Sequence, residues 1–433
     1  MKRSFILLFA MLISFNTLVI SYASYTASMT CEEGEALVCF EKSSHTFHIE
    51  ENAQLLIYVD NENHGKALIE IWNQSYPEFF GKVSYTLDPK IDTDLRYVSI
   101  EEASFRSEEW LSIESSEQFI HSDLIARDLN GDGLIFLEMA GEGFAFISNL
   151  NSLEAQGFSL EDLDQDGRID AIDQYEEILA LDLVEMPYVV SLLEPYGFYP
   201  YLSAFEWQLF MTQNAYEPGF EDEKLLKALE WFSNLPMISI DEEIEWAYPN
   251  VLENNDFGFS MVASWMFVDE LEAKHQANWQ VSSFPMIEAS ITPTTLLTEV
   301  NGFVISKQSE YPSASHELLR LIQSNEGLKV FYESTDKILL ASLNEINALN
   351  LEQSTRLEFS KAFTQARSEP MIAFKNETTQ SAFELYYDLD LMNIIRDLSQ
   401  KKISPKEAQL EMMKRADAWL YEHERELIYD QYQ

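Results

Sequence analysis

Glu194-Pro195-Tyr196 is followed at once by Gly197, Phe198, Tyr199, Pro200 and Tyr201, with Phe205, Trp207 and Phe210 close behind. Aromatic faces stack on the C–H-rich faces of pyranose rings, a carboxylate accepts hydrogen bonds from paired hydroxyls, and proline limits the backbone freedom lost on binding. Such a segment could grip a carbohydrate. The same residues also fill cores, and the segment alone leaves both readings open. Gly258-Phe259-Ser260-Met261-Val262-Ala263-Ser264-Trp265 is an apolar strand that ends in a tryptophan at a turn, which suits either a cleft or a core.

A second constellation could hold a cation. In Asp162-Leu163-Asp164-Gln165-Asp166-Gly167-Arg168-Ile169-Asp170-Ala171-Ile172-Asp173, acids stand at loop positions 1, 3, 5, 9 and 12, glycine at 6 and isoleucine at 8. Asp162, Asp164, Asp166, Asp170 and Asp173, with the backbone carbonyl of Arg168, would converge on a structural calcium ion. Asp173 stands where a bidentate glutamate is more usual. A polar Asp-Gly turn ahead of a helix near Gln174 is the alternative, and the cation is favoured. Asp128-Leu129-Asn130-Gly131-Asp132-Gly133 opens in the same way, but Met139 at its twelfth position cannot ligate, so a turn is expected there.

The elements that must position these groups alternate. Leu55 to Val59 reads as a buried strand, Gly65 opens a helix carrying Ala67, Ile69, Ile71 and Trp72, and a second strand near Lys82 to Leu87 completes a β-α-β unit. Short apolar runs follow at Leu134 to Leu137 and Phe144 to Ile147. Helical patterns occupy Tyr175 to Leu183, Glu221 to Leu235, Phe267 to Lys274 and Ala314 to Gln323, with a strand at Gly302 to Ser306. The tail from Thr378 to Tyr421 reads as almost continuously helical. Alternating strands and helices predict α/β layers, and the length predicts two such domains, whose cleft would gather strand C-termini and helix N-termini.

With 433 residues, 46% of them hydrophobic and 13% aromatic, the chain can build real cores. Its 28 basic and 74 acidic residues give a formal charge of −46, which repels polyanions and excludes nucleic acid as a partner. Lys2 and Arg3 ahead of the apolar run Phe5 to Ile20 match a secretory signal over residues 1–23, with a small-x-small site at Ser21-Tyr22-Ala23. Export to an extracellular, cell-surface or periplasmic location is therefore expected, an uncleaved N-terminal anchor being the alternative. An acidic leader over 24–51 contains Cys31 and Cys39, for which a local disulfide is the default in an exported protein. GxSxG, HExxH, CxxC and phosphate-loop motifs are missing from the sequence, and Gly141-x-Gly143 lacks the third glycine of a dinucleotide site.

Taken in order, these pieces resemble the extracellular solute-binding proteins of carbohydrate ABC transporters, the maltose-binding protein family. Asp60, Asn61 and Glu62 approximate the polar pattern of the family's first cleft loop. Ala140 to Asn149 resembles its hinge-crossing strand, with Glu142 at the position of a sugar-binding glutamate. Glu194-Pro195-Tyr196 matches the Glu-Pro-Tyr ligand segment, and Trp265 matches the ring that stacks on the sugar. Asn301 to Lys307, with Pro312, Ala314 and Asn325-Glu326-Gly327, is similar to the block returning to the first lobe. Glu384 stands where a second stacking tryptophan resembles the family, leaving Tyr386 or Tyr387 as the substitute ring. Tyr97 to Glu102 keeps acids without a clear aromatic.

The resemblance covers roughly Ala53 to Leu420. It implies a two-lobed, type II periplasmic-binding-protein-like α/β fold, with lobes at 52–140 plus 299–342 and at 141–298 plus 343–433. It also implies a monomeric, non-enzymatic capture protein that binds a maltodextrin-like oligosaccharide and delivers it to a membrane permease. Two rivals remain open at this point: a calcium-dependent surface adhesion or sensory protein on the same fold, and a secreted glycoside hydrolase.

Overall fold

A computed structural model describes residues 38–41, 44–113, 134–163, 166–181, 187–192, 197–207, 218–240, 244–266, 268–287, 291, 293, 295–368 and 388–430. The chain divides into two compact units. One comprises Met1–Tyr97, Glu109–Ile120 and Ile305–Phe331, the other Val98–Glu108, His121–Val304 and Tyr332–Gln433. Both mix strands and helices, the α/β class that the alternating pattern predicts.

In the first unit, β1 (Phe40–Glu41) and β2 (Thr46–Phe47) form a small antiparallel hairpin, with the Phe40 and Phe47 rings edge to face at 5.0 Å. Three strands then run parallel: β3 (Leu55–Tyr58) lies between β4 (Val83–Thr86) and β5 (Leu95–Ser99), with Leu55 opposite Val83 and Ile57 opposite Leu95. The helix Glu62–Ser75 makes the β3-to-β4 crossover, so the expected β-α-β unit is present. It starts at Glu62 rather than at Gly65. The Asn61 side chain accepts from the amides of Asn63 (2.8 Å) and His64 (3.2 Å), donors that a first helical turn cannot pair internally. Leu68, Ile71 and Trp72 form its buried face.

The leader is built into this unit. Glu50 accepts from the amides of Ser313 and Ala314 at 2.9 Å each, capping the helix Pro312–Ile322 from across the sequence. That helix begins two residues ahead of the expected Ala314, because Pro312 fits a first turn where its missing N–H costs nothing. Glu317, fully buried on it, accepts from the Phe47 amide at 2.7 Å, from Arg320 Nε at 2.9 Å and from the Tyr76 hydroxyl. Cys39 is disulfide-bonded and its amide donates to Ser313 Oγ at 2.9 Å. Cys31 and the signal segment lie outside the described residues.

The second unit is organised around β6, Leu137–Asn149. This single strand of 13 residues replaces the two short runs expected at 134–137 and 144–147. β7 (Val189–Ser191) and β8 (Ile238–Ile240) form a separate parallel pair. β9 (Phe259–Ala263) and β10 (Trp279–Ser282) both lie antiparallel to the far half of β6, while β11 (Leu296–Ile305) lies antiparallel to its near half. β12 (Arg367–Ser368) pairs in parallel with β11. Helices at Glu223–Phe232, Val268–His275 and Tyr175–Leu179 fall where helical patterns were read, each with shifted ends.

The core of this unit is strongly aromatic. Phe146 stacks on Phe259 at 5.7 Å, and Tyr201 stacks on Trp231 at 5.8 Å. Phe198, Tyr199, Tyr201 and Trp207 are all buried in the same cluster, so for these four rings core filling is the correct reading and a sugar-gripping surface is not. Among the described residues of the tail, helices run over Leu391–Ser399 and Pro405–Asp430 with a break between them. Lys401 turns the chain at φ 57, and a reciprocal Ser404–Glu407 capping pair restarts the helix. Among the described residues no helix is long and apolar enough to cross a membrane.

Candidate functional site

Glu142 is the exposed residue in a strand whose other positions are buried. Its neighbour Gly143 is held by close approach, since a Cβ there would lie 2.2 Å from the Leu296 carbonyl oxygen. Gly143 also ties down the end of β9: the Ser264 amide donates to the Gly143 carbonyl at 2.9 Å, and the Gly143 amide donates to Ser264 Oγ at 3.2 Å. This double tie turns the chain so that the Trp265 ring stands edge-on to Phe144 at 5.2 Å and 77°. Trp265 is 48% exposed. One flank of the indole is packed on Phe144, so little further ordering is needed on contact, and the remainder is open.

β11 adds groups that were not singled out in the sequence. Glu299 stands directly opposite Glu142 in the β6–β11 register, next to a shift in pairing between Leu297 and Glu299. Thr298 Oγ1 donates to the Glu142 carbonyl at 3.2 Å, and Asn301 Nδ2 donates to Glu299 Oε1 at 2.7 Å. Loss of hydration pushes the Glu142 carboxyl above its ordinary range, Glu299 and Asp336 add to the rise, and Lys337 opposes it. The sequence pattern places this strand from Gly302 onward, whereas it begins at Leu296 and so includes Glu299. Leu296, Leu297 and Val300, all buried, were the signal that the strand starts earlier.

Deeper in β6, Glu138 faces Gly302 across the ladder and is 6% exposed. Its Oε2 has no hydrogen-bond partner among the described residues, and burial pushes its carboxyl well above the ordinary value.

Asp60 and Glu62 belong to the first unit, at the exit of β3 and the start of the following helix, and both are exposed. Glu62 pairs with Lys66 one turn on, at 2.6 Å, which lowers its carboxyl below the ordinary range. Glu194 and Tyr196, together with Tyr386 and Glu384, lie outside the described residues. Of the predicted site residues, Glu142 on β6 and Trp265 in the turn that follows the neighbouring strand β9 therefore belong to one unit.

The 162–173 loop has the turn that the motif predicts. Gly167 sits at φ 93, which only glycine adopts freely, and its amide donates to Asp162 Oδ2 at 3.1 Å. Ile169 is buried as the anchor, and the Leu163 amide donates to Asp170 Oδ1 at 2.9 Å. Arg168 does more than offer a carbonyl. Its guanidinium is buried and donates to Asp166 Oδ2 at 2.7 Å, Asp173 Oδ1 at 3.0 Å, Ser283 Oγ at 3.0 Å and the Phe284 carbonyl at 2.9 Å. Asp166 and Asp173 therefore have a cation within the chain, whereas Asp162 Oδ1 is buried without a hydrogen-bond partner among the described residues. Asp164 and the Asp128–Gly133 segment lie outside those residues, and among them no group of three or more His, Cys, Asp or Glu is placed to hold a metal ion. Arg168 thus takes up Asp166 and Asp173, Asp170 accepts from the Leu163 amide, and Asp162 keeps one buried oxygen without a partner among the described residues.

No protein-family model matches the chain, and the search of curated proteins returns no match.

Proposed function

We propose that the chain is an exported, two-lobed capture protein of the maltose-binding type, which holds a maltodextrin-like oligosaccharide and delivers it to the membrane permease of an ABC importer. Trp265 carries this reading: it is a large ring, half open and seated on Phe144, two residues along β6 from the exposed Glu142. Stacking on the indole and hydroxyl donation to Glu142 would hold one sugar unit, with Glu194, Tyr196, Asp60, Glu62 and Tyr386 supplying the remaining contacts by resemblance. No bond is made or broken. Hinge closure over the sugar would create the surface that the permease recognises.

Calcium would be held by Asp162, Asp164, Asp166, the Arg168 carbonyl, Asp170 and Asp173, and its contribution there is to stiffen the loop. The orphaned Asp162 oxygen supports a second reading, a calcium-dependent surface protein on the same fold. Calorimetric titration of the wild type and Trp265→Ala with malto-oligosaccharides, with and without chelator, separates the two. Chelator-independent sugar binding that depends on Trp265 supports capture.

A further inference from the structure

Glu142 and Glu299 occupy directly opposed positions on β6 and β11. Opposed residues on paired antiparallel strands place their Cβ atoms roughly 4.5–5.5 Å apart, so two like charges there repel. Neither is free to drift away. Thr298 Oγ1 fastens the Glu142 backbone, and the largely buried Asn301 amide fastens the Glu299 carboxylate. The charged groups around Glu142 are Glu299 on β11 and Asp336 and Lys337 in the segment after the helix Asn325–Ser334. On its other side the end of β9 offers Ser264 and Trp265, neither of which carries a charge. Among the described residues, the charges that act on Glu142 are thus two carboxylates that raise its proton affinity and one lysine that lowers it.

We propose that Glu299 acts on Glu142 by holding a carboxylate directly opposite it, so that the grip of Glu142 on a hydroxyl-rich ligand is released by mild acidification. This rests on the capture reading above. A carboxyl group that faces a second negative charge ionises less readily and keeps its proton to a higher pH than a lone glutamate. An ionised Glu142 accepts hydroxyl hydrogen bonds from a sugar with charge assistance, and a protonated one loses that strength. The upward displacement of the Glu142 carboxyl, caused first by lost hydration and next by the charge of Glu299, agrees with the geometry. Glu299 is in this sense a positioning residue for the proton, and Lys337 is its counterweight.

Two measurements test this on the full chain. In ligand-free protein labelled at glutamate carboxyl carbons, the NMR resonance lost in Glu142→Gln is followed from about pH 4 to about pH 8. Its midpoint should fall in Glu299→Gln and rise in Lys337→Met, opposite shifts that a merely structural role would not produce. Maltotriose affinity, measured calorimetrically over the same range, should decline on acidification in the wild type and do so at lower pH in Glu299→Gln. An unmoved Glu142 midpoint in both variants, or an affinity midpoint unchanged by Glu299→Gln, overturns the proposal. A midpoint that moves in a protein that binds no sugar at any pH refutes the capture reading, and with it the release, while leaving the coupling in place.

Discussion

A carboxyl group sealed inside β6 makes the stability of the second unit depend on pH. Glu138 is 6% exposed and its Oε2 lacks a partner among the described residues, so the folded chain keeps its proton well above the ordinary carboxylate value of 4.5. The unfolded chain releases that proton near the ordinary value. Stability contributed by the protonated group is therefore complete below that value and is lost as pH rises toward the folded one. Replacing Glu138 by glutamine removes the titration. Urea unfolding of the two proteins at several pH values should show the variant gaining on the wild type, by up to about 1.4 kcal/mol per pH unit above the ordinary value. Parallel stability curves would show that Glu138 is hydrated in the fold. At this scale the sequence was partly readable. A strand ending in Trp265 at a turn suits a cleft and a core equally, because an apolar run that stops at a turn does not say which side of the ring is covered. The density of aromatics at 198–207 could not distinguish surface from core, since the deciding factor is which face the neighbouring helices cover. Glu138 gave no signal, because nothing local marks a glutamate as buried.

At the scale of elements, the calcium-type loop shows a tertiary contact overriding a motif. Spacing alone assigned Arg168 a carbonyl, yet its buried guanidinium joins Asp166 and Asp173 to Ser283 and Phe284. Removing one partner of a buried ion pair costs about 3–5 kcal/mol, because the other charges are left uncompensated. Arg168→Met should lower stability by an amount near the bottom of that range, since Asp166 and Asp173 retain some solvent, and added calcium should restore part of it by mass action. Thermal melts with calcium and with chelator check this. A variant as stable as the wild type in chelator would contradict the role given to Arg168. The same limit explains β6. Gly141, Glu142 and Gly143 interrupt the apolar pattern, so it reads as two short runs, yet the close approach of Leu296 accommodates Gly143 and the strand continues. The β-α-β unit was legible because crossover chemistry is local. The Asn61 cap that starts its helix was in the sequence too, overshadowed by Gly65.

For the whole molecule, the formal charge of −46 sets the behaviour in solution. Self-repulsion opposes compactness and is screened over about 10 Å at 0.1 M salt, falling to about 3 Å at 1 M. The melting temperature should rise between dilute buffer and about 1 M sodium chloride, a range over which exposed ion pairs such as Lys66–Glu62 weaken. A falling melting temperature would mean that attractive pairs outweigh repulsion. The α/β class was legible from alternating elements, whereas the fastening of Glu50 and Phe47 onto the helix Pro312–Ile322 was not, because it joins residues more than two hundred positions apart. The central claim is that the half-open ring of Trp265 grips a sugar beside Glu142, and calorimetric titration with a malto-oligosaccharide series tests it most directly. The wild type should show saturable binding that Trp265→Ala weakens roughly fivefold or more, the equivalent of about 1 kcal/mol of lost stacking. Absence of binding in the wild type, or equal affinity in the two proteins, would contradict it.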